Sequence, residues 1–595
     1  MEIREIYSNN QEAWDSRLTK LKNKSRLLGW LRLFVFIAGA SLPFILFGTS
    51  SLGFFILLFL FIILFIHLVK YSGKTGYEIK FASHMVDINT FELEALEYNF
   101  KHFPDGKEFI SPKHDFTHDL DIFGEGSLFQ YMNRTSTRGG YEVLAGKLSA
   151  PALEKEKIMQ AREAVSELAG KTDLRQHFYV LGKMTNEDEK LKIALQNITD
   201  VDFSFFNTKE KNLVTVFSLI TFLSLISYFI GYLPGESLII VFFAGLMISG
   251  IYFKRITLIH KKLSKLGDIL GSYSRLIALL EDVDFSSEPL MKLTGGIKIS
   301  SGKKASRVIK QLGNLINMLD HRMNMFTGPL LNGFFLWDLF ITGALAKWFN
   351  KNRNSITEWF RIIHEIDALN SLAGFSYNHP EFSYAAFSDN AIIDAAELGH
   401  PLIPDTERVD NDFSITDDIR ISIITGANMA GKSTFLRTVG VNMILAGAGT
   451  KVCAKDFRYT PIRLITSMRA MDSLDKHESY FFSELKRLKY IVDELKKGEK
   501  IFFIFDEILK GTNSQDKTKG SIELTEKLLT LDAYGIIATH DLELGKLEEH
   551  HPDRIANKCF EVEFDNGRLL FDYKLRDGIT HSHNATYLLK NMGLI

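Results

Sequence analysis

Cysteine is almost absent from this chain. Cys453 and Cys559 are its only two in 595 residues; standing so far apart they fit no metal-ligand spacing, exclude a disulfide framework and point to a reducing compartment. Net charge is missing as well, since 70 Lys and Arg against 72 Asp and Glu leave −2 and an isoelectric point near 6.8. That balance gives no global electrostatic footprint for nucleic acid, so any DNA contact must come from a local basic surface. Length and local apolarity, by contrast, are plentiful. A chain of 595 residues exceeds one hydrophobic core, and its 46% of apolar residues averages ordinary globular segments with greasier ones.

The greasy segments come in two pairs. Residues 33–47 are apolar apart from small residues, a turn follows at Gly48-Thr49-Ser50-Ser51, and 52–69 are apolar again except His67. Residues 213–233 and 237–253 form the second pair, joined by Pro234-Gly235-Glu236. Each arm approaches the ~20 residues needed to cross ~30 Å of hydrocarbon, so both pairs are expected to be transmembrane hairpins rather than buried core. The first arm is short and needs flanking residues to snorkel. No signal peptide is expected, because the first apolar run starts after about thirty polar residues and lacks a small-residue cleavage pattern.

Neither hairpin tip carries Lys or Arg, whereas Lys20, Lys22, Lys24, Arg26, Arg32, Lys70, Lys74, Lys209, Lys211, Lys254 and Arg255 flank the other ends. By the positive-inside rule the tips face away from the cytoplasm and all soluble parts lie within it, as in a multi-pass protein of the cytoplasmic membrane. A fifth apolar stretch, 329–348, contains Asn332, Asp338 and Lys347. Spanning with it would carry everything downstream across the membrane, so it is expected to be a buried or interfacial helix.

What lies downstream has a nucleotide pattern. Residues 421–425 read as a buried strand that runs into Gly426-Ala427-Asn428-Met429-Ala430-Gly431-Lys432-Ser433-Thr434 and then the helical pattern FLRTVGVNMILAGAG. In the order strand, G-x-x-x-x-G-K-[ST], helix, the glycines let backbone N–H groups and the helix N-terminus point at phosphates. Lys432 supplies charge to the β and γ phosphates, and the Ser433 hydroxyl ligates Mg²⁺. Residues 501–505 form a second apolar strand ending in Asp506-Glu507, where Asp506 would orient the Mg²⁺ shell and Glu507 polarise the attacking water. A third strand, 535–539, ends at His540, placed to sense the γ phosphate or hold the water. ATP and Mg²⁺ are therefore the expected ligands, and Glu507, His540 and Lys432 the catalytic set.

These motifs resemble those of the MutS family of DNA mismatch-repair ATPases. GANMAGKST is similar to that family's GPNMGGKST, DEILKGTNSQD at 506–516 to its DELGRGTSTxD, and ATHDLEL at 538–544 to its ATHYxEL. DSLDKHESYFFSEL at 472–485 resembles the family's D-D-x-x-x-G-x-S-T-F-x-x-E, which puts Ser479 at the signature serine that in ABC-type dimers reaches the partner's nucleotide. The resemblance thus implies a homodimer with composite ATP sites. It extends upstream: GSLFQYMNRTSTRGGYEVLAGKLSAP at 126–151 resembles the opening of the MutS core, AREAVSELA at 161–169 the segment after it, HEIDALNSLA at 364–373 the lever helix, and GHPLI at 399–403 the approach to the ATPase. Tyr573 falls near an aromatic position that lies by the adenine in the family.

Departures from the family are equally plain. Nothing before Gly126 is long enough for a mismatch-reading domain, so that module is expected to be missing, and no small nuclease domain is expected after the ATPase. Phe123-Gly124-Glu125 has the Phe-x-Glu form of a mispair probe, yet a three-residue pattern beside the core opening is too cheap to assign. Lys510 and Asn513-Ser514-Gln515 depart from the loop after Glu507. Basic pairs Lys254-Arg255, Lys261-Lys262 and Lys303-Lys304 are candidates for DNA or lipid phosphates, or simply solvated flanks.

The expected fold is multidomain, α plus α/β: a cytoplasmic segment 1–32, a hairpin 33–70, a helical MutS-like core 71–212, a second hairpin 213–253, core and lever 254–398, and an ABC-type P-loop ATPase 399–595. The expected function is Mg²⁺-dependent ATP hydrolysis coupled to DNA binding at the membrane, in DNA repair or recombination. An ABC-type transporter, or a nucleotide-gated membrane scaffold without DNA binding, is the alternative; the absence of a Leu-Ser-Gly-Gly-Gln signature and a hairpin inserted within a soluble domain weigh against the transporter.

Overall fold

The computed structural model describes residues 3–49, 51–185, 198–264, 266–297, 304–427, 429–469, 480–509, 513–565 and 568–580. It opens with two helices of 45 residues each, Ile3–Phe47 and Leu52–Leu96, packed along one another. Ser51 starts the second, its hydroxyl accepting from the Phe54 N–H at 3.3 Å. A 45-residue helix is roughly 67 Å long, more than twice the ~30 Å of a bilayer core. The boundaries expected at 32 and 70 therefore fall inside continuous helices. What continues them is a second apolar seam beyond the greasy arms, where Trp14, Leu18 and Leu21 meet Ile79, Ala82 and Val86.

Among the described residues four helices are long and apolar enough to cross a membrane: these two, Thr208–Phe229 and Gly235–Leu263. Their apolar stretches face outward, with Phe34, Phe55, Phe59, Ile220, Ile240 and Phe243 all exposed. The fifth apolar stretch is broken. Helices Thr327–Phe335 and Trp337–Asn378 meet at Leu336, whose backbone is left-handed (φ 49°), with a 77° bend between them.

The 42-residue helix Trp337–Asn378 is the spine of the helical body. Helices Arg138–Ser149, Lys155–Ala169, Thr172–Lys183, Leu266–Glu281 and Ala305–Asp320 pack on it, around Trp359, Ile363, Ile366 and Leu372. The T-S-T-R-G-G run finds its reason here. Asp367 accepts from the Ser136 N–H at 3.0 Å, the Thr137 N–H at 2.8 Å and the Thr137 hydroxyl at 2.7 Å. Thr137 also caps its own helix, accepting from the Gly140 N–H at 3.0 Å, while Gly139 and Gly140 lie so close to His364 and Asp367 that a Cβ on either would collide. Phe123 is buried against Phe109 and Phe129, and Glu125 pairs with Lys101 on the surface. That ring is core, not a wedge.

The C-terminal part holds the sheets. Strands β1 (Ser383–Tyr384) and β6 (Lys451–Val452) form a short ladder. A four-stranded sheet has the order β2 (Ala386–Phe387), β7 (Asp456–Tyr459), β3 (Ala391–Leu398), β4 (Asn411–Thr416). The six-stranded sheet runs β12 (Arg568–Asp577), β11 (Ile555–Asp565), β5 (Ile421–Gly426), β10 (Tyr534–Thr539), β9 (Ile501–Asp506), β8 (Arg463–Ser467). All its pairings are parallel except β11 with β12. Strands β5, β9 and β10 are buried on both faces, which is why they read as unbroken apolar runs.

Candidate functional site

Three of these buried strands end on the same edge. In a parallel sheet the carboxyl ends open onto the crevice where ligands bind, and β5, β9 and β10 deliver Gly426, Asp506 and Thr539 there. The turn after β5 is held by two glycines that nothing larger replaces. Gly426 has φ 151° and a Cβ on it would meet the Phe560 carbonyl oxygen at 2.8 Å; Gly431 has φ 105° and lies against the Tyr573 ring. Between them Ala427 lines the cavity, Met429 is exposed with φ 69°, and Ala430 is buried; Asn428 lies outside the described residues. Helix Lys432–Gly447 follows, with Gly431 at its N-cap, so the loop sits at the positive end of a helix.

The chemistry-bearing side chains meet in pairs around this loop. Lys432 is buried, and its Nζ donates to the Gly426 carbonyl at 2.5 Å and the Ala427 carbonyl at 2.9 Å. The Ser433 hydroxyl donates to Asp506 Oδ2 at 2.6 Å. His540 Nε2 lies 2.8 Å from Glu507 Oε1 and 3.4 Å from Lys432 Nζ. Glu507 has φ 52°, a left-handed backbone held by its N–H donating to the Ala538 carbonyl at 2.9 Å. Thus Lys432, Ser433, Asp506, Glu507 and His540, separated by up to 108 positions in sequence, form one contiguous polar wall.

The wall lines a cavity of about 580 Å³ that also includes Thr434, Tyr573 and the apolar side chains of Leu398, Ile403, Val409 and Phe560. Tyr573 reaches it from β12, where the backbone is left-handed (φ 54°) and its carbonyl accepts from Asn411 Nδ2 at 3.1 Å. His400, Arg408 and Asn411 also line the cavity, though nothing in their local sequence marks them as site residues. His400 stands within the GHPLI segment, but a turn residue carries no periodicity to betray where it points. Burial holds the His400 imidazole down at about 4, with the Arg437 charge adding to the effect.

Ser479 falls outside the described residues. The helix after it, Tyr480–Lys496, is tied to the site through Glu484, whose Oε1 accepts from the Leu509 N–H at 2.6 Å, just past Glu507. Of the basic pairs, Lys304 is engaged with Asp282 at 2.7 Å, Lys262 donates to the Asp200 carbonyl at 3.2 Å, and Lys303 lies outside the described residues.

A triphosphate with Mg²⁺ fits this donor set. Gly426 and Gly431 keep the loop open to close backbone approach, and Ser433 with Asp506 offers two hard oxygen donors, enough for an ion that completes its octahedron with phosphate and water. Among the described residues no cluster of three His, Cys, Asp or Glu could hold a metal by itself.

A helical body carrying C-terminal α/β sheets, with a glycine-rich turn and an acidic strand end at one cavity, defines a mostly helical protein with a candidate ligand site on its parallel sheet. Comparison with known proteins narrows this. Residues 422–591 match the family model described as MutS domain V. The chain is 31% identical over 252 residues to the DNA mismatch repair protein MutS of Thermotoga maritima, covering 41% of this chain and 30% of that protein. It is 31% identical over 196 residues to MutS protein homolog 4 of Homo sapiens, covering 31% of this chain and 20% of that protein, and 32% identical over 229 residues to the DNA mismatch repair protein MSH4 of Arabidopsis thaliana, covering 37% and 27%. The chain thus spans less than a third of the length of these relatives. The matches support a MutS-family protein.

Proposed function

We propose that this chain is a membrane-anchored MutS-type ATPase that binds ATP in the cavity between Gly426 and Tyr573, hydrolyses it, and couples turnover to DNA binding. The observation that carries this is the double pairing at the loop, Ser433 with Asp506 and His540 with Glu507. The first pair would hold Mg²⁺, which would neutralise phosphate charge when bound. Lys432 supplies a second positive charge, and Glu507 takes the proton of the attacking water while His540 fixes the carboxylate's direction. Composite sites follow from the family resemblance, with Ser479 of the partner subunit completing each one. The four long apolar helices provide the anchor, with the cavity on the cytoplasmic side. DNA would be engaged by the helical body; mismatch reading is not part of the proposal.

The test is ATPase activity of the detergent-solubilised full chain, with and without a panel of duplex, mismatched, branched and single-stranded DNA. Glu507→Gln is expected to keep ATP binding and to lower turnover by at least a hundredfold. Unchanged turnover in Glu507→Gln would defeat the base assignment. No turnover in the parent, with ATP still bound, would favour a nucleotide-gated scaffold. Failure to bind any DNA at low salt would remove nucleic acid from the account.

A further inference from the structure

We propose that residues 321–340 form a re-entrant element that dips into the cytoplasmic leaflet beside helix Gly235–Leu263 and returns to the same side. This rests on the reading of that helix as a membrane span. The segment is apolar and outward-facing: Met323, Met325, Phe326, Leu330, Phe335 and Phe340 are exposed. That surface is continuous with the exposed apolar faces of the neighbouring helices, because Thr327–Phe335 packs on both Thr208–Phe229 and Gly235–Leu263. A bare patch of this kind in water would be a liability. Continuity with two spanning helices names its occupant as lipid acyl chains.

Contacts along Gly235–Leu263 set the depth. The Arg322 guanidinium sits over the Phe253 ring at 5.1 Å, next to the basic flank Lys254-Arg255. Asn332 Oδ1 accepts from the Ser249 hydroxyl at 3.4 Å; Gly333 packs directly on Gly245, where a Cβ would strike its carbonyl; and the Phe334 ring lies 5.4 Å from that of Phe242. At 1.5 Å per residue, Gly245 is about 12 Å beyond Phe253 along the axis. The midplane of a ~30 Å hydrocarbon core is ~15 Å deep, so Gly333 lies close to it. The long helix then turns back, and Gly343 already lies against Phe206, which precedes the span Thr208–Phe229.

Broken backbone is tolerated at membrane depth only where its polar groups are met from within the protein, and here they are turned inward. At the bend, the Leu336 N–H donates to the Asn332 carbonyl at 3.2 Å and the Asp338 N–H to Asn332 Oδ1 at 3.0 Å. Asn332 Nδ2 donates in turn to Asp338 Oδ1 at 3.1 Å. The two charges near the bend, Arg322 and Asp338, form an ion pair at 2.9 Å with side chains only 4% and 7% exposed. An amphipathic helix lying flat on a soluble surface has no need to bury such a pair; an element immersed in lipid does.

Single cysteines at Met325, Leu330, Met247 and Lys310 test this in inside-out vesicles with a membrane-impermeant maleimide, the two native cysteines being buried. Labelling of Lys310→Cys is expected at once, and of Met325→Cys, Leu330→Cys and Met247→Cys at least tenfold more slowly until detergent is added. Fast labelling at 325 and 330 with 247 still protected overturns the re-entrant element alone. Fast labelling at 247 overturns the span on which it rests. Labelling of 330 only in right-side-out vesicles means a full crossing and also overturns the proposal. In proteoliposomes of the purified chain, a fluorophore on Leu330→Cys should be quenched by lipids brominated along the acyl chain; absence of quenching overturns acyl-chain contact.

Discussion

Gly426 shows how much of the site is decided by single backbone angles. With φ 151° and the Phe560 carbonyl 2.8 Å from where a Cβ would stand, Gly426→Ala forces either the loop or β11 to move. Its expected effect is a loss of ATP affinity of tenfold or more with the fold retained, read by nucleotide titration and circular dichroism. His400 allows a second measurement. An imidazole held near 4 in the folded protein, against 6.5 when free, takes up its proton only on unfolding. The stability it lends is present at neutral pH and is lost as pH falls from 6.5 towards 4. Asp367 works the other way: burial pushes it up to about 6 from 3.8, so the folded state takes up this proton first and stability rises as pH falls from 6 towards 3.8. The variant comparison separates them. The stability gap between the parent and His400→Gln should narrow by about 2 kcal/mol between pH 7.5 and pH 5, measured by urea unfolding; a gap independent of pH would mean that His400 is not held neutral.

Among the elements, what the sequence made legible was whatever is local or doubly buried. The loop 426–434 is contiguous, and β5, β9 and β10 announce themselves because both faces are covered. The far wall of the cavity was legible only in part: the family resemblance pointed to Tyr573 on β12, whereas nothing marked Arg408, on the approach to β4, or Asn411, in β4, which bonds from Asn411 and Asp410 to β12 bring beside it. The break at Leu336 was hidden too, because Leu has no turn propensity; tertiary contacts around Asn332 and Asp338 impose the left-handed angle. Likewise the seam at Trp14, Leu18 and Ala82 extends the first hairpin where charge counting ended it. The long helix offers a test at this scale. Asp367→Asn leaves one acceptor oxygen where four donors from Ser136 and Thr137 converge, so a loss of about 1–3 kcal/mol is expected. Urea unfolding of the solubilised chain should give a lower midpoint with unchanged slope.

For the whole molecule, the question is how the helical body is wired to the cavity, and three connections answer it. The long helix reaches the sheets through Ser376, whose hydroxyl is 2.7 Å from that of Thr450. The first hairpin reaches the end of the same helix, where the Tyr7 hydroxyl donates to Asn378 Oδ1 at 2.8 Å. The third is a strap of aspartates. Asp115 accepts from Arg463 Nη2 at 2.9 Å, Asp121 from Arg469 Nη2 at 2.5 Å, and Asp119 receives the Thr466 hydroxyl at 2.6 Å and the Met468 and Arg469 N–H groups at 3.1 Å each. Asp121 also lies 3.5 Å from Arg437, on the helix that starts at Lys432. The strap therefore grips both helix Lys432–Gly447 and the end of β8, from which the chain enters the segment bearing Ser479. Asp119→Asn keeps the shape and removes the charge that holds two backbone donors, so the segment after β8 should lose its anchor while the loop at 426–434 is untouched. Turnover should fall about tenfold with little change in the KM for ATP, since losing a transition-state contact lowers kcat and kcat/KM together. A rise in KM at constant kcat would instead place the strap's influence on nucleotide binding, and unaltered kinetics would leave it a purely structural brace.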